Sequence, residues 1–332
     1  MQSLIGESST LADVLEHVSR VAPLNRPIVI IGERGTGKEL IAERLHFLSP
    51  RWQESFHKIN CAAISEALLD SELFGHEPGA FTGATKLHVG RFERAHGGTL
   101  FLDELGTMPA RIQEKLLRLI EYGEFERLGG SRTLKVDVRV LAATNADLPG
   151  LASKGRFRHD LLDRLAFDVV HVPPLRERLE DLPALVHHFG ARMAVALERD
   201  AYAGFSVEAL LTLRRYSWPG NIRELRNVVE RSVCHWPEPS QPVGRVIINP
   251  FCTKESAACL PQTRDLADTR ANATTTLFNA RNFQHEVKQF ELTLLREALN
   301  HCKHHQQHTA DALGLSYHQL RALLRKYRSE LE

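Results

Sequence analysis

Two adjacent acids, Asp103 and Glu104, have the position and chemistry to hold a metal ion and to activate a water molecule. They directly follow the segment Gly97–Leu102, whose apolar run is typical of a buried strand. Ligands of open α/β sheets bind at the carboxyl ends of the strands. We therefore expect Asp103 to hold Mg²⁺, directly or through water, and Glu104 to orient or deprotonate the water that attacks a γ-phosphate. The alternative is a pair of solvated acids at the start of the next helix.

A glycine-rich loop with a lysine supplies the phosphate-binding half of such a site. It follows a short apolar segment, Pro27–Ile31, and precedes a helical pattern of apolar residues. A strand, a glycine loop, a lysine and a helix in this order indicate a P-loop, whose amide groups and helix N-terminus bind phosphate. The predicted nucleotide-binding residues are Gly32, Glu33, Arg34, Gly35, Thr36, Gly37, Lys38 and Glu39. Glu39 departs from the pattern, because Ser or Thr usually follows the lysine and holds Mg²⁺.

Polar residues also follow two further strand-like segments. The segment Val136–Ala143 ends at Thr144 and Asn145, a polar pair able to sense the γ-phosphate. A shorter segment, 56–59, ends at Asn60. Alternation of such strands with helical patterns predicts an α/β fold with a parallel sheet.

A short turn with an aromatic tip lies between the two halves of the nucleotide site. Its residues are Gly79, Ala80, Phe81, Thr82, Gly83 and Ala84. Glycine at each end permits a sharp bend. A turn that only reverses the chain usually contains Asn, Asp, Pro or Ser. We therefore interpret Phe81 as a contact residue for a partner, with burial of its ring in the core as the alternative.

Length and composition limit the class of protein. A chain of 332 residues is too long for one core and predicts two or three domains. The net charge of +1 argues against a surface that is wholly devoted to nucleic acid. The sequence contains neither an apolar run of about 18 to 20 residues nor a signal-peptide pattern. The lack of such a run predicts no membrane insertion. An odd number of cysteines without metal spacing, five in all, predicts a reducing, cytoplasmic location. The four histidines at 301, 304, 305 and 308 are interpreted as a solvated run.

The pattern predicts four segments. Residues 1–172 form the α/β ATPase subdomain, and residues 173–235, which begin with two prolines, form a helical lid. Residues 236–282 are rich in Pro, Thr, Ser, Ala and Asn, and predict a mobile linker with one strand at 243–248. Residues 283–332 form an all-α tail.

The tail has the pattern of a helix-turn-helix. Val287, Phe290, Leu294 and Ala298 lie at helical spacing, a short helix covers 308–313, and Gly314 makes the turn into a basic helix at 317–328. Residues at the start of the basic helix are expected to meet base edges, and later cations to bind phosphates. The first set is Ser316, Tyr317, His318, Gln319 and Arg321, and the second is Arg325, Lys326 and Arg328. A dimerisation bundle is the alternative.

Together these motifs resemble the AAA+ activators of sigma-54 RNA polymerase, the bacterial enhancer-binding proteins. The GAFTGA turn at 79–84 is the most discriminating match, since other AAA+ ATPases lack it. A glutamate after the P-loop lysine is common in this family. Further matches are Phe157–Arg158, Leu161–Leu165 and Trp218–Leu225. The resemblance runs from about Leu4 to Val233, and the tail is similar to a Fis-type DNA-binding domain.

The resemblance implies roles for particular residues. Phe81 and Thr82 would contact sigma-54 from a loop whose position follows the nucleotide state, and Asn60 would link Glu104 to that loop. Arg158 and Arg164 resemble arginine fingers offered to the neighbouring subunit, and Arg223 resembles the sensor arginine of the lid. The implied cofactors are ATP and Mg²⁺. The implied partners are sigma-54 RNA polymerase, upstream promoter (enhancer) DNA and further copies of the chain, in a hexamer.

The resemblance begins near the start of the sequence, at 4–7, so we expect no receiver or GAF domain here and control in trans by an inhibitory partner protein or through expression. Two other functions stay open at this point. One is an AAA+ remodeller of a non-transcription client, whose tail is an interaction bundle. The other is a DNA-binding repressor that has lost sigma-54 contact, although such proteins usually have a degraded GAFTGA turn. A helicase fits less well, since a second motor domain is lacking.

Overall fold

The computed structural model describes residues 4–250, 295, 298–299, 305–315 and 317–327. The chain divides into two compact units, Met1–Pro261 and Gln262–Glu332. In the first unit the strands are β1 Ile28–Ile31, β2 Phe56–Asn60, β3 Thr99–Asp103, β4 Glu124–Glu126, β5 Thr133–Lys135, β6 Arg139–Thr144 and β7 Asp168–His171. Its helices are α1 Ser9–Val21, α2 Lys38–Phe47, α3 Glu66–Phe74, α4 Arg91–Arg94, α5 Ala110–Tyr122, α6 Leu148–Ser153, α7 His159–Leu165, α8 Leu182–Ala196, α9 Val207–Arg215 and α10 Asn221–Cys234.

Five strands form a parallel sheet in the order β2-β3-β6-β1-β7, which confirms the predicted α/β fold. The central strands β3 and β6 are apolar and almost wholly buried, as expected of a parallel sheet covered on both faces. The register places Asn60 beside Asp103, and Ile31 beside Thr144. The polar residues that end β2, β3 and β6 therefore lie at the same sheet edge as the loop that leaves β1.

Helices cover both faces of this sheet and form two separate apolar cores. One core joins β3 and β6 to helices α3, α5 and α7, with the stacked rings of Phe74 and Phe92 at its centre. The other joins β1 and β7 to α1 and α2. A short antiparallel hairpin of β4 and β5 packs on the first core through Phe125 and Leu134. The two cores hold the strands in place, and the polar residues of the candidate site lie at the strand ends and in the loops that follow them.

Helices α8, α9 and α10 form the lid around a third apolar core. Trp218 is its largest fully buried side chain, and its Nε1 donates to the carbonyl oxygen of Leu213 at 2.9 Å. Within the described residues, no helix is long and apolar enough to cross a membrane.

Residues 236–250 pack against the lid, so the expectation of a mobile linker is wrong for this part. Val246 and Ile248 contact the lid core. Arg231 Nη1 donates to the carbonyl oxygens of Ile247 and Ile248, at 3.0 and 3.2 Å. The predicted strand at 243–248 is reduced to one bridge between Val243 and Phe205. The docked side chains are spaced too irregularly for a periodic pattern to reveal them, and residues 251–282 lie outside the described residues.

The second unit contains helices α11 Gln306–Ala312 and α12 Tyr317–Lys326. Gly314 has φ +65°, a left-handed conformation that suits glycine at the turn between them. Leu320 is fully buried, and Ala310 and Tyr327 pack with it. Of the pattern predicted for the preceding helix, Val287, Phe290 and Leu294 lie outside the described residues.

Candidate functional site

The loop between β1 and α2 has the backbone shape of a phosphate-binding loop. Gly35 and Gly37 have φ values of +78° and +98°, and Gly37 precedes the first residue of α2. A Cβ atom at Gly35 would collide with the carbonyl oxygen of Gly220. Glycine is therefore required both for the turn and for the close approach of the lid. The start of α2 leaves amide groups without partners in the helix, as anion sites at helix N-termini do.

Lys38 lies buried against this loop. Its Nζ donates to the carbonyl oxygens of Gly32 and Glu33, at 2.8 and 3.0 Å. Burial lowers the pKa of Lys38, while the negative charges of Asp103 and Glu104 oppose that shift. The structure thus brings the lysine and the two acids within electrostatic reach of one another, as the sequence predicted.

Asp103 and Glu104 are held by different partners. Asp103 Oδ2 accepts a hydrogen bond from Asn60 Nδ2 at 3.2 Å, and its Oδ1 accepts one from the Glu104 amide at 3.0 Å. Glu104 Oε1 lies 3.5 Å from Arg34 Nε. Glu104 also has φ +55°, an uncommon conformation for a residue with a side chain. Asn60 is therefore paired with Asp103, and the role implied for it at Glu104 stays a prediction.

Thr144 and Asn145 lie beside the glycine loop. Thr144 is fully buried, its carbonyl oxygen accepts from the Gly32 amide at 3.2 Å, and its Oγ1 accepts from the Ala146 amide at 3.0 Å. Asn145 is exposed. It lines a cavity of about 530 Å³ together with Gly32 and Glu33. That volume is within the range of small-molecule sites.

The remaining walls of this cavity carry no sequence signal. They come from α1, which contributes Thr10 and Asp13, and from the end of β7, which contributes His171 and Pro173. The adjacency of β7 to β1 in the sheet brings His171 and Pro173 to the glycine loop, and the packing of α1 in the same core brings Thr10 and Asp13.

Glu39, at the start of α2, forms an ion pair with a lysine. Its carboxylate accepts a hydrogen bond from Lys58 Nζ at 2.8 Å, and Lys58 also pairs with Glu43. Lys58 belongs to β2. The carboxylate is thus engaged in an ion pair on the helix surface, and the role of Glu39 at the nucleotide stays a prediction.

The three predicted arginines lie in two different settings. Arg223 of α10 is close to the loop, with its Cβ 3.0 Å from the position that a Cβ on Gly35 would take. Arg158 instead forms a two-pronged pair with Asp160, at 2.7 and 3.0 Å, and this hydrogen bonding lowers the pKa of Asp160 to about 2. Arg164 Nε donates to Glu121 at 2.8 Å. Within one chain Arg158 and Arg164 are exposed ion pairs, so their role toward a second subunit stays a prediction.

The turn at 79–84 is closed by its own backbone. The Gly79 amide donates to the Ala84 carbonyl oxygen at 2.7 Å, and the Ala84 amide donates to the Phe81 carbonyl oxygen at 3.0 Å. Phe81 is 43% exposed, and Thr82 is exposed beside it. Burial of the Phe81 ring in the core, the alternative considered above, is therefore wrong.

An arginine that the sequence analysis missed braces the base of this turn. Arg127 Nη1 donates to Glu77 at 2.8 Å, and Arg127 Nη2 donates to Glu93 at 2.8 Å. These hydrogen bonds, first the one to Glu93, raise the pKa of Arg127. The backbone of His76 also bridges to His88 and Leu128. Some fifty residues separate Glu77 from Arg127, so no local pattern marks the contact.

In the tail, the predicted DNA-contact residues that the structure describes lie on α12. Their exposed members are Tyr317, Gln319, Arg321, Arg325 and Lys326. His318 lies on the same helix, whereas Ser316 and Arg328 lie outside the described residues. Among the described residues, no group of three or more His, Cys, Asp or Glu could hold a metal ion. His301 and His304, from the interpreted solvated run, also fall outside that range.

Three family models match the chain in sequence order. They are described as a sigma-54 interaction domain, at residues 4–171, an AAA+ ATPase lid domain, at residues 176–241, and a bacterial regulatory protein of the Fis family, at residues 286–327.

Curated relatives and solved structures agree with these matches. The Psp operon transcriptional activator of Escherichia coli K12 is 54% identical over 327 residues, which is 98% of each chain. The Nif-specific regulatory protein of Herbaspirillum seropedicae is 51% identical over 70% of this chain and 43% of its own length. The crystal structure of Brucella abortus NtrX in complex with ATP is 33% identical, with a TM-score of 0.67, over 98% of this chain and 69% of that one.

Proposed function

This chain belongs to the family of sigma-54-dependent AAA+ transcriptional activators, and we propose that it activates the phage-shock operon, which responds to envelope stress. It is an ATP-binding ATPase of that family with a helix-turn-helix DNA-binding tail. The choice of operon rests on the 54% identity to the Psp operon activator over 98% of each chain. The observation that carries the activator role is the exposed ring of Phe81, presented by a closed turn on the same unit that holds Lys38, Asp103 and Glu104. An exposed aromatic side chain is a residue type that often contributes strongly to binding between proteins.

The acids of the site fit a magnesium ion. Mg²⁺ prefers hard oxygen ligands and is commonly held by one or two carboxylates together with substrate phosphates. Asp103 offers such a carboxylate, at the end of β3 beside the phosphate loop. When bound, Mg²⁺ would neutralise charge on the phosphates. Glu104 would orient or deprotonate the attacking water, Lys38 would balance charge on the β- and γ-phosphates, and Thr144 with Asn145 would sense the γ-phosphate.

The active form proposed here is a homo-oligomer, namely a hexamer. Arg158 and Arg164 are exposed and engaged only in surface ion pairs among the described residues. A guanidinium is always charged and bonds phosphoryl oxygens in pairs, which suits a neighbour's transition state. The ion pairs with Asp160 and Glu121 are easily exchanged for another partner, because water and salt screen exposed charges.

In this scheme the nucleotide state moves the turn at 79–84. ATP binding raises Phe81 and Thr82 toward sigma-54, Asn60 relays the state of Glu104, and hydrolysis resets the loop. The proposed boundaries are 1–172 for the ATPase subdomain, 173–235 for the lid, 236–282 for the connecting segment and 283–332 for the DNA-binding domain. Phage shock protein A is the proposed inhibitory partner, and the cytoplasm the proposed location.

Promoter opening in a purified system tests the proposal. Sigma-54 RNA polymerase, promoter DNA with an upstream site, ATP and this protein alone should give open complexes, detected by permanganate reactivity of unpaired thymines. The same polymerase with a non-hydrolysable ATP analogue should stay closed. ATP hydrolysis at a normal rate without any opening would contradict the sigma-54 role. Addition of purified phage shock protein A should lower the ATPase rate, and no change would remove it as the partner.

A further inference from the structure

Every carbonyl oxygen of the phosphate loop from Gly32 to Thr36 accepts a hydrogen bond, and three of the five accept from residues far away in the sequence. Lys38 Nζ donates to the first two of these oxygens. Asn221 Nδ2 donates to the Arg34 carbonyl oxygen at 3.1 Å, and the Ile222 amide donates to that of Gly35 at 3.0 Å. Arg178 Nη2 donates to the Thr36 carbonyl oxygen at 2.8 Å. Three successive peptide groups of the loop are thus held by residues that follow the last strand of the sheet. Two of these residues, Asn221 and Ile222, begin the lid helix α10.

These carbonyl contacts determine where the amide groups of the loop point. In a planar trans peptide, the N–H of each residue points opposite to the C=O of the residue before it. Because the carbonyls of Arg34, Gly35 and Thr36 point at Asn221, Ile222 and Arg178, the amides that follow them must point away from these donors. Those amides belong to residues 35, 36 and 37, and successive amides aimed to one side form an anion-binding concavity.

Asn221 is the central residue of this contact. It is fully buried and has φ +52°, an uncommon conformation for a residue other than glycine. Its Oδ1 accepts from the Leu175 amide at 2.8 Å, and its Nδ2 donates both to Glu33 Oε2 at 3.0 Å and to Arg34. Both donors and the carbonyl oxygen of this one side chain therefore join the loop to the segment that enters the lid.

Arg178 makes the second contact at a high cost of desolvation. Its side chain is buried, and Nε has no hydrogen-bond partner although Nη2 reaches the Thr36 carbonyl oxygen. The nearby charge of Asp181 partly compensates. Asp181 in turn accepts hydrogen bonds from the Glu7 and Ser8 amides, at 2.6 and 2.7 Å. A buried guanidinium that is only partly satisfied is costly for stability, which favours a functional reason for its presence.

We propose that Asn221 and Arg178 are positioning residues for phosphate binding. They hold the loop carbonyls so that the amides of residues 35–37 face the nucleotide phosphates. Nucleotide affinity therefore depends on the packing of the lid against the loop. By linkage, bound phosphate raises the equilibrium constant for packing of the lid against the loop by the same factor. This inference rests on ATP binding by the family and not on the proposed contact with sigma-54.

Two substitutions of Asn221 test the proposal in the full-length protein. Asn221→Asp keeps the acceptor for the Leu175 amide and loses both donations to the loop. Asn221→Gly loses the side chain but adopts φ +52° without strain, so it stays informative if the first variant does not fold. Both should raise the Kd of fluorescently labelled ADP about tenfold, as expected for loss of bonds that orient a charged ligand. The KM for ATP should rise by a larger factor than kcat falls.

Ser232→Ala is the matched control. Ser232 is buried on the same helix α10, and its Oγ donates to Val228 and accepts from the Ile247 amide, away from the loop. This variant should lower the thermal unfolding midpoint and leave the Kd of labelled ADP unchanged. The proposal is overturned if the Asn221 variants bind ADP as the natural protein does while losing thermal stability like the control.

Arg178 provides an independent test with a conservative rescue. Arg178→Met removes the donor to Thr36 and should weaken ADP binding, whereas Arg178→Lys keeps a donor and should restore part of the affinity. Equal ADP affinity in Arg178→Met and the natural protein would refute a positioning role for this residue. Because labelled ADP binding needs no polymerase, failure here is distinguishable from failure of the proposed promoter function.

Discussion

The ring of Phe81 packs edge-on against the imidazole of His76, with 4.9 Å between the ring centroids. The His76 backbone is bridged to His88 and to Leu128, and its Nδ1 lies 2.7 Å from Ser71 Oγ. The aromatic tip therefore rests on a braced residue while much of its ring stays open to solvent. A tip seated in this way has a defined position and still offers apolar area to a partner.

Replacing Phe81 with alanine should separate ATP hydrolysis from promoter opening. The backbone bonds that close the turn do not involve the ring, so ATPase activity should stay within about twofold of the natural rate. Open-complex formation with sigma-54 polymerase should be lost, as measured by permanganate reactivity. Val195→Ala, which removes an exposed apolar side chain from the lid, should retain promoter opening. Opening by Phe81→Ala at the natural level would disprove the contact role.

Glu104→Gln should bind ATP and hardly hydrolyse it. A positioned general base contributes about 10²–10⁴-fold, so the phosphate release rate should fall by at least about 100-fold. Binding of labelled ATP should persist, because Lys38 and the loop remain. Glu43→Gln is the control. It removes a carboxylate of α2 that pairs with Lys58 of β2, and this variant should hydrolyse ATP at the natural rate. Continued turnover by Glu104→Gln would assign the base elsewhere.

Mixing two inactive variants should restore hydrolysis if Arg158 acts in a neighbouring subunit. Arg158→Ala alone should lose about 10³-fold or more of the rate, the range measured for arginine fingers. In mixed oligomers, a subunit with intact Glu104 receives Arg158 from a Glu104→Gln neighbour, so a fraction of sites should work. Arg226→Ala, which breaks an exposed pair with Glu230, should be fully active. A mixture as inactive as its components would argue against donation between subunits.

Substitutions on α12 should affect DNA binding in two different ways. Arg325→Ala should weaken binding to all sequences alike and reduce the slope of log affinity against log salt by about 1, since one phosphate contact is lost. Arg321→Ala should instead reduce the preference for the upstream site over random DNA. Fluorescence anisotropy of the full-length protein on both DNAs measures these effects. Binding that does not change with either substitution would favour the dimerisation bundle.

Cys61 should resist alkylation in the folded protein. Burial, followed by the charges of Asp103 and Glu104, raises the pKa of its thiol to about 12. Since the thiolate is the reactive form, iodoacetamide at pH 8 should label the exposed Cys234 and leave Cys61 unmodified until denaturant is added. Peptide mass mapping reads out both sites. Rapid labelling of Cys61 under native conditions would show that the segment after β2 opens readily.

Residues that act through local spacing could be predicted. The glycine loop with Lys38, the acids that end β3, and the turn between α11 and α12 each depend on backbone geometry within a few residues. The identity of the family followed from the same short motifs. The docking of residues 236–250 on the lid could not be predicted, because their apolar side chains follow no period and gain their stability from a surface made by other helices.

The sequence by itself determined which chemical groups the protein possesses and which strands and helices carry them. Only the tertiary structure decided how these groups are paired: Asn60 with Asp103, Glu39 with Lys58, and the carbonyl oxygens of the phosphate loop with Asn221 and Arg178. The reason is that the pairing follows the sheet order β2-β3-β6-β1-β7 and the packing of the lid against the phosphate loop. Both arise from burial of apolar faces across the whole unit, and no short stretch of sequence encodes them.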